Sequence, residues 1–97
     1  MRKTIDGLIV EWDVRKNEAN IKKHGVHFKD AAFVFLDNNR VEIYDIKHSD
    51  DEDRYIVIGM VNEILFVIYT ERVDSIRIIS ARKATPSERE LYYGTNS

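Results

Sequence analysis

Apolar and polar positions alternate most clearly in the second half of the chain. Two runs rich in β-branched and aromatic residues, 64–69 and 76–79, flank a short polar break at residues 73–75. Residues of this kind suit a pleated, half-buried surface, and a short polar break between two such runs is typical of a hairpin. The pattern therefore predicts two antiparallel strands joined by a tight turn.

The charges near this break indicate the register of the hairpin. A two-residue turn at 74–75 would set two arginines opposite each other, which destabilises a sheet. A three-residue loop instead sets Glu71 opposite Arg77, so we prefer that loop. Period-two alternation in the second strand then places Ser80 and Arg82 on one face and Arg77 on the other.

Helical periodicity predicts two helices in the first third of the chain. A short strand at 8–12 leads to Asp13, a residue type suited to an N-cap, and the helix that follows ends at His24. Gly25 suits the left-handed position that ends a helix. The second helix is marked by apolar residues at helical spacings: Phe28, Ala31, Ala32, Phe35 and Leu36.

The remaining elements complete an α+β fold. Further strands are predicted at 41–46 and 54–61, and a capping box at 85–88 predicts a third helix that ends at Gly94. The predicted order is β-α-α-β-β-β-β-α. It describes an antiparallel sheet with two N-terminal helices packed on it and a C-terminal helix. We expect residues 1–97 to form one domain.

Composition narrows the possible functions. The chain has 97 residues, no cysteine and a formal net charge of −2, with 43% hydrophobic residues. The absence of cysteine excludes disulfides and thiolate metal sites, and no apolar run reaches the ~18 residues of a membrane span. We therefore expect a cytoplasmic protein with no membrane association and no cofactor. Because a basic excess is missing, any anion must be bound through uneven placement of charge.

Arginines stand at the ends of the predicted strands. Arg54 opens one strand, Arg72 precedes the hairpin turn, and Arg82 lies where the last strand ends. A guanidinium held by a sheet edge is a planar fork that suits phosphate. The ordinary alternative is that they are solvated strand ends, with Arg54 paired to Glu52 or Asp53.

A histidine and a tyrosine are further candidates for chemistry. His24 suits proton transfer near neutral pH, although a cation at the end of a helix also interacts well with the helix dipole. Tyr92 could donate a hydrogen bond to phosphate or simply be half-buried. The spacing of His24, His27 and His48 does not suggest a metal site.

Together these residues resemble the BrnT family. The resemblance extends from about Leu8 to Tyr93. It is carried by Glu11-Trp12-Asp13, Asn20, Lys23-His24-Gly25-Val26, Phe28, Ala31, Val34-Phe35, Glu52, Arg54, Gly59, Arg77-Ile78-Ile79-Ser80-Ala81-Arg82, Ala84, Glu88-Arg89 and Tyr92. His27 departs from the pattern, because a small hydroxyl N-cap is expected there.

The resemblance implies a type II toxin with a RelE-like fold, a small ribonuclease that halts translation. It also implies a BrnA-type antitoxin, and contact with operator DNA only through the toxin–antitoxin complex. Metal-independent RNA cleavage needs proton transfer and electrostatic stabilisation of a charged phosphorane. The predicted catalytic residues are His24, Arg54, Arg72, Arg82 and Tyr92. The predicted RNA-binding residues are Lys22, Lys23, Arg77 and Lys83, and no metal site is predicted.

The alternative function is that of a non-catalytic protein-binding module, whose arginines anchor a partner protein. The absence of a basic excess favours this alternative, as does the frequent role of arginine at interface hot spots. Both functions could also share the same residues, if the antitoxin covers the site.

Overall fold

The fold begins with a hairpin that the hydrophobic pattern did not predict. In the computed structural model, which describes residues 1–95, β1 (Arg2–Ile5) pairs antiparallel with β2 (Leu8–Glu11). Asp6 and Gly7 join them with φ values of 49° and 86°. Asp-Gly favours this left-handed hairpin turn, so the dipeptide was an available signal.

The first predicted helix is confirmed. It is α1 (Val14–His24), and the Asp13 carboxylate accepts a hydrogen bond of 3.0 Å from the Lys16 backbone N–H. That bond lowers the pKa of Asp13. The helix ends at Gly25, which has a φ of 72° and donates to the Ile21 carbonyl.

The second predicted helix is divided. It consists of α2 (Phe28–Ala31) followed by a 3₁₀-helical segment (Ala32–Leu36). The segment contains Val34 and two phenylalanines, and side chains of these types lose rotamer freedom in an α-helix. Val34 also packs closely on the sheet, because a Cβ added at Gly59 would lie 3.0 Å from the Val34 Cβ. Gly59 therefore makes room for this segment.

Four further strands complete a six-stranded sheet. They are β3 (Val41–Tyr44), β4 (Tyr55–Val61), β5 (Glu63–Glu71) and β6 (Ile76–Lys83), and the last helix is α3 (Pro86–Thr95). The strand order is β1-β2-β6-β5-β4-β3, and β2 pairs parallel with β6 while the other neighbours are antiparallel. The α+β class is confirmed. The predicted element order and the purely antiparallel sheet are wrong, because a strand precedes β2 and β2 joins β6.

An asparagine side chain continues the sheet where β2 ends. β2 pairs with β6 only at Val10–Ile76 and Glu11–Arg77. Further along, the Asn20 side chain donates to the Ala81 carbonyl at 2.8 Å and accepts from the Ala81 N–H at 3.1 Å. This buried amide makes the two bonds that a neighbouring strand would make, and it fixes α1 along the edge of β6.

The β5–β6 connection differs from both predicted registers. Glu71 pairs with Ile76, and the Arg72 N–H donates to the Ser75 carbonyl at 2.7 Å, so the turn lies at residues 73–74. Arg77 therefore lies opposite Thr70 and not opposite Glu71.

A β-bulge changes the faces of β6. Ile68 pairs with Ser80 and Tyr69 with Ile78, so Ile79 is the extra residue. Because an extra residue shifts the alternation by one, Arg77 lies on the same face as Ser80 and Arg82. The prediction that placed Arg77 on the opposite face is wrong.

The two faces of the sheet are covered differently. The first face is packed by α1, α2 and the 3₁₀-helical segment over a core that includes Val10, Phe28, Val34, Val67 and Ile78. On the second face, α3 covers one end, where Tyr92 packs with Ile58 and Ile64. We call this the α3 end, and we call the opposite end, with the β5–β6 turn and the β3–β4 loop, the turn end.

Candidate active site

The predicted site residues divide between the two ends of the sheet. Arg82 lies level with Phe66 and Ile58, whereas Arg54 directly precedes β4 four residues earlier. By strand geometry the Cα atoms of Arg54 and Arg82 are roughly 16 Å apart. Members at the turn end are Arg54, Arg72 and Arg77, and members towards the α3 end are Lys22, Lys23, His24, Arg82, Lys83 and Tyr92.

At the α3 end, Arg82 is held by a carboxylate. Its guanidinium donates two hydrogen bonds to the Glu88 carboxylate, at 2.7 and 2.9 Å, and lies 4.1 Å from the Phe66 ring centroid. These bonds raise the pKa of Arg82, although burial opposes the shift. Glu88 also accepts from the Thr85 N–H at 2.9 Å, which confirms the capping box. The pair thus connects the end of β6 to the start of α3.

Tyr92 is also engaged within the fold. Its hydroxyl donates to the Asp37 carboxylate at 2.6 Å, and its side chain is buried. This hydrogen bond, together with burial, raises the pKa of Tyr92 to about 12. Burial alone would raise the pKa of Asp37, but the bonds from Tyr92 and the Met60 N–H lower it. Tyr92 therefore anchors α3, and its raised pKa makes its hydroxyl a weaker acid than an ordinary tyrosine.

The basic residues towards the α3 end are mostly exposed. Lys22 and Lys23 are exposed near the end of α1, and the ammonium of Lys83 lies 3.7 Å from Glu63. His24 is half-buried, and its side chain makes no hydrogen bond within residues 1–95. The structure places these side chains around the end of β6 but brings none of them to the turn-end arginines.

At the turn end, Arg54 has no carboxylate partner in the described part of the chain. The expected partners are both occupied, because Glu52 pairs with Arg72 at 3.2 Å and Asp53 accepts from the Tyr44 hydroxyl at 2.8 Å. The default pairing predicted for Arg54 is therefore wrong. The Arg72 and Glu52 side chains are 43% and 39% exposed, so their ion pair adds little stability.

Arg54 and Arg77 flank a buried hydroxyl. Arg77 pairs with Thr70, and the β4–β5 register, continued by one residue beyond Tyr55, sets Arg54 opposite Thr70 on its other side. The Thr70 side chain is buried, and its hydroxyl has no hydrogen-bond partner among the described residues. The row thus holds two cations and one unsatisfied polar group on a single face.

Arg77 borders a shallow groove of about 440 Å³. Its guanidinium lies 3.6 Å from Glu11, a carboxylate that also pairs with Arg2 at 3.3 Å. The groove is lined by Met1, Arg2, Glu11, Trp12, Asp13, Val14, Arg15 and Arg77. Because one carboxylate serves two arginines and the contact with Arg77 is long, Arg77 can accept an additional anion.

Beside the arginine row lies a histidine that sequence reasoning considered only as a metal ligand. The Nδ1 atom of His48 lies 3.0 and 3.2 Å from the two carboxylate oxygens of Asp45, which is buried. Ser49 then hydrogen-bonds to the backbone of both Asp45 and Arg54, so the loop closes onto Arg54. The Asp-x-x-His spacing, 45 to 48, was the available signal, because residues three apart meet in a helical turn.

Residues 1–95 contain neither a metal-ligand cluster nor a membrane-spanning helix. No group of three or more His, Cys, Asp or Glu side chains in residues 1–95 is arranged to hold a metal ion. Within the same range, no helix is long and apolar enough to cross a membrane.

Comparisons with known proteins define the class. Residues 12–88 match the family described as "Ribonuclease toxin, BrnT, of type II toxin-antitoxin system". The crystal structure of the Brucella abortus ribonuclease toxin BrnT is similar, with a TM-score of 0.62 and 28% sequence identity, covering 78% of this chain and 95% of that one. A search of curated proteins finds no match.

The α+β fold and the family match thus define a ribonuclease toxin of a type II toxin–antitoxin system. Specifically, the chain belongs to the BrnT family, and the predicted resemblance is confirmed. A toxin of this type implies an antitoxin partner.

Proposed function

We propose that this protein is a metal-independent endoribonuclease that inhibits translation in the cytoplasm, and that a BrnA-type antitoxin neutralises it. The complex with the antitoxin would bind operator DNA, and the toxin fold would be RelE-like. Family membership supports the ribonuclease part of this proposal. The remaining parts follow from the BrnT resemblance of the sequence.

The choice of site rests on the Arg54 guanidinium, which has no carboxylate partner among residues 1–95. It stands near two other arginines whose own ion pairs are long or exposed, those of Arg72 at 3.2 Å and Arg77 at 3.6 Å. An RNA phosphate can compete for such cations without breaking a short buried ion pair. The Arg82 guanidinium, by contrast, would have to leave two short bonds to Glu88. We therefore propose the turn end as the site where the scissile phosphate binds.

The proposed reaction requires proton transfer and positive charge around the phosphate. The ribose 2′-hydroxyl attacks the adjacent phosphorus, and the transition state carries extra negative charge on the phosphoryl oxygens. Preorganised donors aimed at those oxygens stabilise it, and loss of one such donor typically costs about 10²–10³-fold in rate. Arg54 and Arg72 are the proposed donors, and Arg77 is a proposed contact to the RNA backbone.

The predicted catalytic roles of His24, Arg82 and Tyr92 remain predictions. The same is true of RNA contacts by Lys22, Lys23 and Lys83. RNA is much longer than one phosphate, so strand segments beyond the scissile bond could reach the α3 end. Their substitution, with RNA binding and cleavage measured separately, distinguishes such contacts from chemistry.

A second candidate function is protein binding without catalysis. Ile43, Ile56 and Ile68 lie in one row of the second face, and all three are partly exposed next to the arginines. An apolar stripe bordered by cations suits an antitoxin segment with apolar and acidic side chains. In this alternative, truncation of Arg54 would weaken antitoxin binding and no RNA would be cut.

Induction of the protein alone in bacteria tests the proposal. Wild type, Arg54→Ala and Lys29→Ala are compared at equal abundance, because Lys29 is an exposed cation on α2. We expect growth arrest and RNA fragments with wild type and Lys29→Ala, and neither with Arg54→Ala. Co-expression of a BrnA-type antitoxin should restore growth, and the purified protein should cleave RNA in EDTA.

Two results would contradict the proposal. Normal growth and intact RNA with soluble, folded wild-type protein would favour the binding module. Cleavage that EDTA abolishes and Mg²⁺ restores would contradict metal independence while leaving the ribonuclease assignment intact.

A further inference from the structure

One of the three histidines in the chain is oriented by a carboxylate. His48 contacts both Asp45 oxygens through Nδ1, while His24 and His27 make no side-chain hydrogen bond within residues 1–95. The His48 side chain is 61% exposed, and that of Asp45 is 8% exposed. The pair therefore joins a buried, fixed carboxylate to an imidazole that can meet a substrate.

This contact determines which ring nitrogen carries the proton. An ionised carboxylate can only accept hydrogen bonds, so the Nδ1 atom of His48 must be the donor. In the neutral ring, Nε2 then keeps its lone pair. Nε2 makes no hydrogen bond within residues 1–95, and the side chain is 61% exposed, so this nitrogen is open to a substrate. A neutral imidazole held in this way is prepared to accept a proton.

The backbone connects this pair to the arginine row. The Asp45 N–H donates to the Arg54 carbonyl at 2.9 Å, so Asp45 continues the antiparallel pairing of β3 with β4. The Ser49 hydroxyl donates to the Asp45 carbonyl at 2.6 Å and accepts from the Arg54 N–H at 3.0 Å. These bonds hold Asp45 and Arg54 on adjoining positions at one end of the sheet.

We infer that His48 is the general base of RNA cleavage and that Asp45 is its positioning residue. The inference rests on the proposed ribonuclease function. The Nε2 atom of His48 removes the proton from the ribose 2′-hydroxyl, and the 2′-oxygen forms a bond to phosphorus. The bond from phosphorus to the 5′-oxygen breaks, and that oxygen leaves with a proton from water. The products are a 2′,3′-cyclic phosphate and a 5′-hydroxyl end, while Arg54 and its neighbours stabilise the charged intermediate.

Variants of all three histidines test the inference. Wild type, His48→Ala, Asp45→Asn, His24→Ala and His27→Ala are added at equal concentration to a cell-free translation extract with end-labelled messenger RNA. This extract contains both free and ribosome-bound RNA. Cleavage is followed with and without added imidazole, and thermal unfolding of each protein checks the fold. His27 is exposed at the start of α2 and serves as the matched control.

We expect His48→Ala to cleave about 10²-fold more slowly than wild type. Its melting temperature should fall, because the buried Asp45 carboxylate loses its partner, but the variant should stay folded at the assay temperature. Added imidazole should restore cleavage by His48→Ala several-fold and leave wild type unaffected. Such rescue reports a missing proton acceptor, which a merely structural role would not produce. Asp45→Asn should also be slow without responding to imidazole, because its His48 ring is present but wrongly oriented.

Each result that differs from these expectations leads to a separate conclusion. Unchanged cleavage by folded His48→Ala overturns the inference, as does a loss that imidazole does not relieve. A larger loss with His24→Ala than with His48→Ala assigns the proton transfer to the α3 end instead. No cleavage by wild type overturns the proposed function itself, whereas cleavage by wild type with a normal His48→Ala overturns only the role of His48.

Discussion

The two ends of the second sheet face use the same residue type in opposite ways. At the α3 end, Arg82 is bound by two short hydrogen bonds to Glu88 and stacks on Phe66. At the turn end, Arg54 has no carboxylate partner in the described chain, and the ion pair of Arg77 is 3.6 Å long. An arginine that is already neutralised stabilises the fold, whereas one that is not can bind an external anion. The nearest carboxylate therefore decides which of these two roles a strand-end arginine has.

The largest expected effect is at Arg54. Arg54→Ala should reduce RNA cleavage about 10²-fold, because one preorganised donor to the phosphate is lost. The melting temperature should stay close to that of wild type, since the Arg54 side chain makes no ion pair or hydrogen bond with the described residues. Cleavage rates per folded molecule and thermal unfolding measure the two quantities. A loss of stability with normal cleavage would reverse the assignment of the two ends.

Arg82→Ala should reduce the stability of the fold rather than the rate of RNA cleavage. Arg82→Ala leaves the Glu88 carboxylate, 17% exposed, without its main partner. Because the pair is partly exposed, we expect a loss of about 1–2 kcal/mol in the free energy of unfolding, measured with urea. A double-mutant cycle with Glu88→Ala isolates the pair, and a coupling free energy near zero would contradict a structural role for it.

Tyr92→Phe tests the hydrogen bond that holds α3 at its end of the sheet. The variant loses the bond to Asp37, and we expect a destabilisation of about 1 kcal/mol at pH 7. The pKa of Asp37 is lowered in the folded protein. The stability contributed by its ionised form is therefore present above the ordinary pKa of 3.8 and is lost as the pH falls through the lowered pKa. The difference between wild type and Tyr92→Phe should therefore shrink below pH 3.8. A difference that grows on acidification would be inconsistent with this bond.

The smallest expected effect is on RNA binding by Arg77. Arg77→Ala should weaken binding of a non-cleavable 2′-O-methyl RNA several-fold and reduce the slope of log affinity against log salt by about 0.7. The slope falls because one phosphate contact is lost. Fluorescence anisotropy at several salt concentrations measures it, with Lys29→Ala as the control cation. Equal slopes for Arg77→Ala and wild type would remove Arg77 from the phosphate site.

Local signals in the sequence predicted local structure well. The N-cap at Asp13, the helix end at Gly25 and the capping box of Thr85 and Glu88 are all confirmed. Each depends on residues within a few positions of one another. Long-range features were missed, because nothing near β2 in the sequence indicates that it pairs parallel with β6.

The candidate site was harder to predict for two physical reasons. The bulge at Ile79 shifts the alternation of β6, and this single extra residue moves Arg77 to the face of Arg82. The pairing of charges also depends on tertiary distances. Glu52, an expected partner of Arg54, pairs with Arg72 instead. His48 was considered only as a metal ligand, whereas its partner Asp45 lies three residues away.

The location of the RNA site is tested most directly by NMR. Amide chemical shifts of ¹⁵N-labelled protein are followed during titration with a short 2′-O-methyl RNA, which cannot be cleaved through the 2′-oxygen. We expect the largest shifts at the turn end, in residues 45–54 and 70–77, with smaller changes near α3. Shifts concentrated around residues 82–92 and the end of α1, with the turn end unchanged, would contradict this expectation.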